Sequence, residues 1–553
     1  MLVHHFLENS ARRLPDKAAL ICGDQRLTYR EINDAADKLA SELSGMGVAR
    51  GGRVVIFLDN SAESVISLFG ILKAGAVFVM LNPTMKPKKL NYIFKDSGAC
   101  ALITQGSKAA VVREGVTAAE ELQNIVWVGK SSDLPKHGIS NIGSRLWDEV
   151  VGPSSAFALK RSPPDASSEA LLTPSPVSFE LSALSSAALP RCIDIDLATI
   201  IYTSGSTGDP KGVMSAHCNV VAAARSITQY LGNVQDDIIL DTLPLSFDYG
   251  LYQVLMAFLF GGTVVLEKSF SYPYRTVERL VQERVTGFPI VPTMVAILLQ
   301  MDNFAKFDLS SLRYLTNTAA ALPVAYIRKL QALLPHVKIY SMYGLTECKR
   351  VAYLPPEQLE KRPGSVGIAI PNEEVFVLGE DGKEVRPGEV GELVIRGSNV
   401  MQGYWNAPEE TARTFRPGRY RGEALLYSGD LFKRDEEGFL YFVARKDDMI
   451  KTRGERVSPK EIENALMEIQ GVIEAAVIGV PDDILGQAVV AFVVVERRRQ
   501  LTETDVVKHC SKDLEPFMVP KRVEFRESLP KSPNGKVDKK ALKEQGKRGE
   551  EEE

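Results

Sequence analysis

The sequence predicts an α/β protein with a small β subdomain and a compact α+β unit at its C-terminal end. Three observations predict it. Helix-period and strand-like runs alternate through the first 150 residues and again from 198 to about 440. Short strands then take over near Val385-Arg386-Pro387-Gly388. Past Ala444 the alternation restarts over a length suited to one small domain. In order, Tyr29 to Met46 carries apolar residues at helical spacing and stops before Gly47, and Arg53 to Leu58 reads as a strand. Ala62 to Lys73 is helical again, and Ala76 to Leu81 follows as a strand after Gly75. Strand–helix–strand alternation implies a largely parallel sheet with helices on its faces.

Residues 152–190 are rich in Ser, Pro and Ala. They read as a long, poorly ordered surface insertion, a tolerated loop rather than a docking element, with a short amphipathic piece near Phe179 to Leu189. Gly391 to Arg396 and Gly438 to Val443 are the strands of the β subdomain. In the last unit, Ser458-Pro459-Lys460-Glu461 predicts a capping box opening a helix to about Ile469. Strands at Ala475 to Val480 and Val489 to Val495 follow, then a helix from about Thr504. The expected end is a charged, frayed tail over 544–553.

The 553 residues are too many for one core, so two or more domains are expected. With 45% apolar and 25% charged residues the composition is that of a soluble globular protein. A net charge of −4 from 66 basic and 70 acidic side chains offers no basic field for nucleic acid or an anionic membrane. No apolar run is long enough to span a membrane, and the first residues lack a signal-peptide layout. Six scattered cysteines without a CxxC pair predict reduced thiols in a cytoplasmic protein. The six histidines show no metal-ligand spacing, and His217 reads as structural.

The most informative string is Tyr-Thr-Ser-Gly-Ser-Thr-Gly-Asp-Pro-Lys-Gly-Val at 202–213. Gly205, Gly208 and Gly212 let the backbone approach a ligand and turn its N–H groups inward. Thr203, Ser204, Ser206 and Thr207 add hydroxyl donors, and Lys211 adds a mobile positive charge. That set suits a polyphosphate. The P-loop is excluded, because Lys211 is preceded by Pro210 and followed by Gly212 instead of standing in Gly-Lys-Ser/Thr.

The string resembles the signature of the adenylate-forming superfamily, which includes acyl-CoA synthetases, adenylation domains of peptide synthetases and luciferases. Leu27 to Asn33 and Leu72 to Pro83 look like its early core motifs. The resemblance implies a large N-terminal domain, residues 1–444, of two α/β sheet subdomains plus a small β subdomain, and a small mobile α+β C-terminal domain over 445–543. It also implies that Thr203 to Gly208 and Lys211 contact ATP, with Thr207 and Lys211 acting in catalysis. Thr318-Ala319-Ala320-Ala321-Leu322-Pro323 resembles the family's small-residue strand end lining adenine and substrate. Ser341-Met342-Tyr343-Gly344-Leu345-Thr346-Glu347 covers its Y-G-x-T-E segment. By that analogy Tyr343 stacks on adenine, Ser341, Met342 and Gly344 line the nucleotide, Thr346 contacts phosphate, and Glu347 holds Mg²⁺, for which one carboxylate suffices.

Tyr427-Ser428-Gly429-Asp430 matches the ribose motif, with Asp430 accepting from the ribose hydroxyls and Arg445 assisting. Arg445 to Lys451 matches the hinge segment, with Asp447 at the pivot. Arg453, Gly454 and Glu455 fall in the loop that faces the thiol acceptor. Pro530 to Val537 matches the last motif, in which Lys536 is the catalytic lysine, stabilising charge as a carboxylate attacks phosphorus.

Pro244-Leu245-Ser246-Phe247-Asp248-Tyr249-Gly250-Leu251 occupies the substrate-side position, making Phe247, Asp248, Tyr249 and Tyr252 the candidate acid pocket. Many acyl-CoA synthetases have an aromatic-His pair there, and this chain does not. Asp248 has two readings: in amino-acid-activating relatives such an Asp pairs with the substrate ammonium, and in fatty acyl-AMP ligases it does not. Lys349-Arg350, just past Glu347, reads as a solvated face.

The expected function is an ATP-dependent acid–thiol ligase that forms an acyl adenylate and transfers the acyl group to CoA or a carrier-protein phosphopantetheine thiol. The alternative is a stand-alone amino-acid-activating enzyme loading a peptidyl carrier protein. ATP and Mg²⁺ are the implied cofactors, and the chain is expected as monomer or homodimer.

Overall fold

The computed structural model describes residues 1–130, 142–152, 191–203, 210–301, 303–453, 455–482, 484–496, 499, 501–532 and 536–548. Most of the expected insertion, with its 179–189 piece, therefore lies outside the described residues, as do 204–209 and Gly454.

Two large sheets carry the N-terminal part. One runs in the order 403–404, 211–216, 197–203, 77–80, 53–57, 101–105, 124–128 and 143–146, parallel from Leu197–Thr203 onwards. The other runs 368–369, 352–354, 338–343, 314–317, 287–290, 238–241, 263–266, 18–22 and 25–28, with antiparallel pairs only at its two edges. Helices Tyr29–Gly45 and Ala62–Lys73 contribute to one buried cluster that touches both sheets, from Val54 and Phe78 on one to Leu20 and Leu240 on the other. Each opens on a capping box, Thr28 with Glu31 and Ser61 with Ser64, which satisfies the first free N–H groups and sets where the helix starts.

A five-stranded antiparallel sheet follows, built from Glu373–Leu378, Gly391–Gly397, Ala424–Arg434, Phe415–Pro417 and Leu440–Arg445, and packs its own core around Val377, Leu393 and Phe432. Beyond it, helix Pro459–Glu468 and the sheet Val472–Asp482, Gly486–Val495 and Arg522–Phe525 hold a separate core around Ile462, Val477 and Ala491. This is an α/β protein with a large N-terminal and a small C-terminal α+β part. Ser458 accepts the Glu461 N–H at 3.4 Å, one half of the expected capping box, and donates to Val443 O at 2.5 Å, tying the small part to the strand before it.

The final helix, Lys539–Arg548, runs past the boundary expected at 543, so the charged tail starts later than its composition suggests. Leu542 is buried on the sheet and Lys539 pairs with Glu463 at 2.7 Å, which anchors the first turn of this helix. His217 is structural as expected: it is buried and its Nδ1 accepts the Val3 N–H at 3.1 Å. All six cysteines are free. The ring nitrogens of His4 and His5 and a carboxylate oxygen of Glu8 come within 4.8 Å of one another, a grouping the sequence spacing does not announce. No helix among the described residues is long and apolar enough to cross a membrane.

Candidate active site

The Gly/Ser/Thr string lies between two paired strands. Strands Leu197–Thr203 and Lys211–Ala216 are antiparallel, with Tyr202 opposite Gly212 and Thr203 opposite Lys211. A side chain at 212 would meet Ile200 at 2.7 Å and Trp405 at 3.2 Å, so glycine is needed where the strand passes under Trp405. Ser204, Gly205, Ser206, Thr207 and Gly208 lie outside the described residues; Thr203 and Lys211 hold the two ends. Lys211 Nζ lies 3.9 Å from Glu410 Oε1 and 5.7 Å from the Tyr404 ring centre. Tyr404 in turn donates to Glu347 Oε1 at 2.8 Å. One tyrosine thus orients the candidate metal carboxylate and contacts the candidate phosphate lysine. Tyr404 has no local sequence signal; it reaches Glu347 because Gly403–Tyr404 joins the sheet edge beside Lys211–Ala216.

Tyr343 ends the strand Lys338–Tyr343, and its hydroxyl donates to Asp430 Oδ2 at 2.5 Å. Asp430 stands opposite Arg445 in the antiparallel pair Ala424–Arg434 with Leu440–Arg445, and Arg445 Nε lies 3.2 Å from Asp430 Oδ1. Asp430 is 3% exposed, and Oδ1 is buried without a hydrogen-bond donor. Burial raises its carboxyl above the usual range, against the opposing pull of Arg445 and Tyr343. A buried carboxylate oxygen still lacking a donor fits a ribose hydroxyl.

Lys536 O accepts the Ser532 N–H at 2.7 Å, and Lys531 pairs with Val537 in an antiparallel bridge. The Lys536 ammonium lies in electrostatic reach of Arg445, Asp430, Glu347 and Asp248. Burial, ahead of the like charge of Arg445, lowers it below the ordinary lysine range. Tyr326 OH donating to Ile473 O at 2.7 Å joins the large part to the small one, and within the small part Lys543 lies 3.4 Å from Asp448.

Ala319 follows strand Tyr314–Asn317 with φ 74°, and Asn317 Nδ2 donates to Ala320 O at 2.9 Å, turning the exposed Ala320 and Ala321 away from the core. Ser341 and Met342 are buried within the same strand as Tyr343. The Met342 sulfur receives the Tyr230 hydroxyl, as alternation along the strand requires of the residue beside Tyr343. Gly344 has no room for a side chain: a Cβ there would stand 2.4 Å from Lys349 O, because 344–350 folds tightly back with Lys349 at φ 71°. Within this fold Lys349 Nζ donates to Thr346 O at 2.6 Å.

The acid-side residues sit on helix Asp248–Phe260, buried along most of its length, with Phe247 as its cap residue. Tyr249 OH donates to Thr316 O at 2.6 Å, and Tyr252 is buried with its hydroxyl unpartnered. Asp248 is 8% exposed and lies 3.5 Å from Lys349 Nζ. The expectation of a solvated Lys349-Arg350 is corrected here: both are buried, at 5% and 3% exposure. The tight return after Glu347 points them inward, onto Asp248 and onto the face of Tyr249, where the Arg350 guanidinium stands 5.3 Å from the ring centre.

Asp447 lies in a single 3₁₀ turn, Lys446–Asp448, whose flanking residues pair outward, Lys446 with Glu392 at 3.0 Å and Asp448 with Lys543. Arg453 and Glu455 close the hairpin Ile450–Thr452 with Glu455–Val457, and Arg453 N–H donates to Leu485 O at 2.9 Å. Among the described residues no hydrogen bond or ion pair joins either to Glu347, Asp430 or Lys536.

Known proteins share this frame. The sequence profile of the AMP-binding enzyme family matches residues 7–405, and that of the AMP-binding enzyme C-terminal domain matches 461–536. A long-chain-fatty-acid–CoA ligase of Salmonella typhimurium is 31% identical over 551 residues, covering 98% of this chain and 94% of that protein. The solved structure of the anthranilate CoA ligase AuaEII in complex with anthranoyl-AMP superposes with a TM-score of 0.84 at 25% identity, covering 99% of this chain and 97% of the other. ATP-bound MatB from Rhodopseudomonas palustris gives 0.82 at 26%, with 99% of both chains covered. The chain belongs to the AMP-binding enzyme family of adenylate-forming proteins. It is an AMP-forming ligase.

Proposed function

We propose that this ligase activates a carboxylic acid as its acyl adenylate and passes the acyl group to the thiol of CoA. The observation that carries the reading is the meeting of Tyr343, Asp430 and Arg445, from three separate strands, in one hydrogen-bonded and ion-paired group, with Lys536 in electrostatic reach of it. In the first step a carboxylate oxygen of the acid attacks the α-phosphorus of ATP, and the bond to the bridging oxygen of pyrophosphate breaks. Lys536 stabilises the negative charge that gathers there; its burial strengthens that interaction and keeps water from screening it. Asp430 accepts the ribose hydroxyls, with Oδ2 already positioned by Tyr343. Thr346 and the residues of 203–211 hold the phosphates, and the small side chains of 319–321 leave room for the base.

Glu347, oriented by Tyr404, is the group that would hold Mg²⁺. A hard cation neutralises phosphate oxygens with few protein ligands. In the second step the thiol sulfur attacks the acyl carbonyl and AMP leaves. Asp447 is proposed as the pivot that exchanges Lys536 for the 453–455 loop, with Arg445 clasping the ribose beside it.

CoA is the acceptor in the names of the relatives, which supports it here over a carrier protein. Asp248 already has a cationic partner in Lys349, which favours an acyl substrate over an amino acid whose ammonium would need that carboxylate. Pyrophosphate exchange in Mg-ATP against fatty, aryl, dicarboxylic and amino acids tests the first step, and CoA-dependent AMP release the second. Exchange with none of these acids sinks the reading. Acyl transfer to a carrier protein but not to CoA replaces only the acceptor.

A further inference from the structure

Resting on that reading, we propose that the acid accepted here carries a second anionic group, a carboxylate or comparable oxyanion, and that Arg350 binds it. Arg350 is 3% exposed, and its Nε is buried without a hydrogen-bond partner among the described residues. No carboxylate of a described residue lies within ion-pair distance of its guanidinium. The acid beside it, Asp248, is matched by Lys349 at 3.5 Å. One negative and two positive side chains, Asp248, Lys349 and Arg350, leave this cluster with a positive excess.

The other neighbours of Arg350 are aromatic. Its guanidinium stands over Tyr249 at 5.3 Å and meets the Tyr230 phenol. An aromatic face offsets part of the cost of burying a cation but does not neutralise it. A second orphan, the Tyr252 hydroxyl, is buried without a partner and lies in electrostatic reach of both Asp248 and Arg350. Asp248 is also felt by Lys536. The cluster therefore lies in electrostatic reach of Lys536 and holds a guanidinium whose Nε has no partner, beside a hydroxyl that has none, among the described residues. A guanidinium fork matches a carboxylate with two parallel N–H bonds, and a phenol adds a third donor. A plain alkyl chain would leave both orphans unsatisfied.

The test is pyrophosphate exchange by the full chain with length-matched acids, hexanoate against adipate and octanoate against suberate, with palmitate as the long alkyl reference. Wild type, Arg350→Met and Arg350→Lys are compared. Wild type is expected to prefer the dicarboxylate in kcat/KM by about tenfold or more, the scale of one charge-assisted hydrogen bond. Arg350→Met should erase that preference by raising the KM for the dicarboxylate about tenfold more than the KM for the monocarboxylate, and Arg350→Lys should retain part of it.

Preference of the wild type for the monocarboxylate at every length overturns the inference. So does an Arg350→Met variant that loses both members of a pair by the same factor, the result expected if Arg350 met only the reacting carboxylate. If Arg350→Met does not fold, the wild-type preference and Arg350→Lys still decide. Exchange with no acid at all overturns the ligase reading itself, and this inference with it.

Discussion

Lys349 Nζ lies 3.5 Å from Asp248 Oδ1, and the two side chains are only 3% and 10% exposed. The pair joins the first turn of the helix Asp248–Phe260 to the tight return after Glu347, so it links the candidate acid side of the site to the candidate nucleotide side. A buried ion pair adds little net stability, but breaking one leaves a charge stranded. Lys349→Met is expected to destabilise the protein by about 3–5 kcal/mol, and Asp248→Asn with Lys349→Met together by much less. Denaturant melts of the two single variants and the double variant measure this. A double variant as unstable as Lys349→Met alone would mean that Asp248 does not need its lysine.

Replacing Lys536 by Ala should lower adenylation by roughly 10²–10³-fold, the loss typical of one transition-state donor. Transfer from supplied acyl adenylate to CoA should be largely kept, since in that step phosphorus is not attacked and the acyl carbon–oxygen bond is the one that breaks. Separate assays of pyrophosphate exchange and of thioester formation check both halves. Equal loss in the two assays would contradict the role assigned to Lys536.

Asp430→Ala removes the acceptor that Tyr343 and Arg445 hold in place. Loss of a charge-assisted hydrogen bond costs about 1.5–3 kcal/mol, so the KM for ATP should rise roughly 10–100-fold. Tyr343→Phe, which frees Asp430 Oδ2 without removing it, should raise it less. Steady-state kinetics in ATP at saturating acid decide, and an unchanged KM in Asp430→Ala would count against a ribose contact.

Burial lowers His217 from 6.5 to about 4. The unfolded chain binds this proton at higher pH than the native one, so the native state loses stability as pH falls from about 6.5 toward 4. The full effect is roughly 3 kcal/mol. His217→Asn, whose side-chain oxygen can still accept the Val3 N–H, should flatten that slope while leaving stability at pH 8 nearly unchanged. Urea titrations at pH 8, 6 and 5 measure it; parallel slopes for wild type and variant would refute it.

Much of the molecule is legible in sequence order. Alternating periods place Tyr29–Gly45, Arg53–Phe57 and Ala62–Lys73 within a residue of where they stand, because a buried helix face and a buried strand each need their own spacing. The candidate site is legible where its motifs are local strings, as at 341–347 and 427–430. Tyr404 is not, because its partner Glu347 lies far away in sequence and the contact depends on a sheet edge. Lys349 and Arg350 mislead, since adjacent cations after a glutamate look like a wet turn. Only the left-handed backbone at Lys349, packed against Gly344, turns them inward.

The sequence by itself determined the fold class and the reaction class. Helical and strand periods record which faces are buried, and the ordered motifs record where backbone and charge must meet a nucleotide. The tertiary structure decided how charges are shared. It matched Asp248 with Lys349, buried Arg350 with no carboxylate partner among the described residues, and set Lys536 in electrostatic reach of Asp430 and Glu347. Pairing between charges depends on distance and local dielectric, and neither is a property of position along the chain.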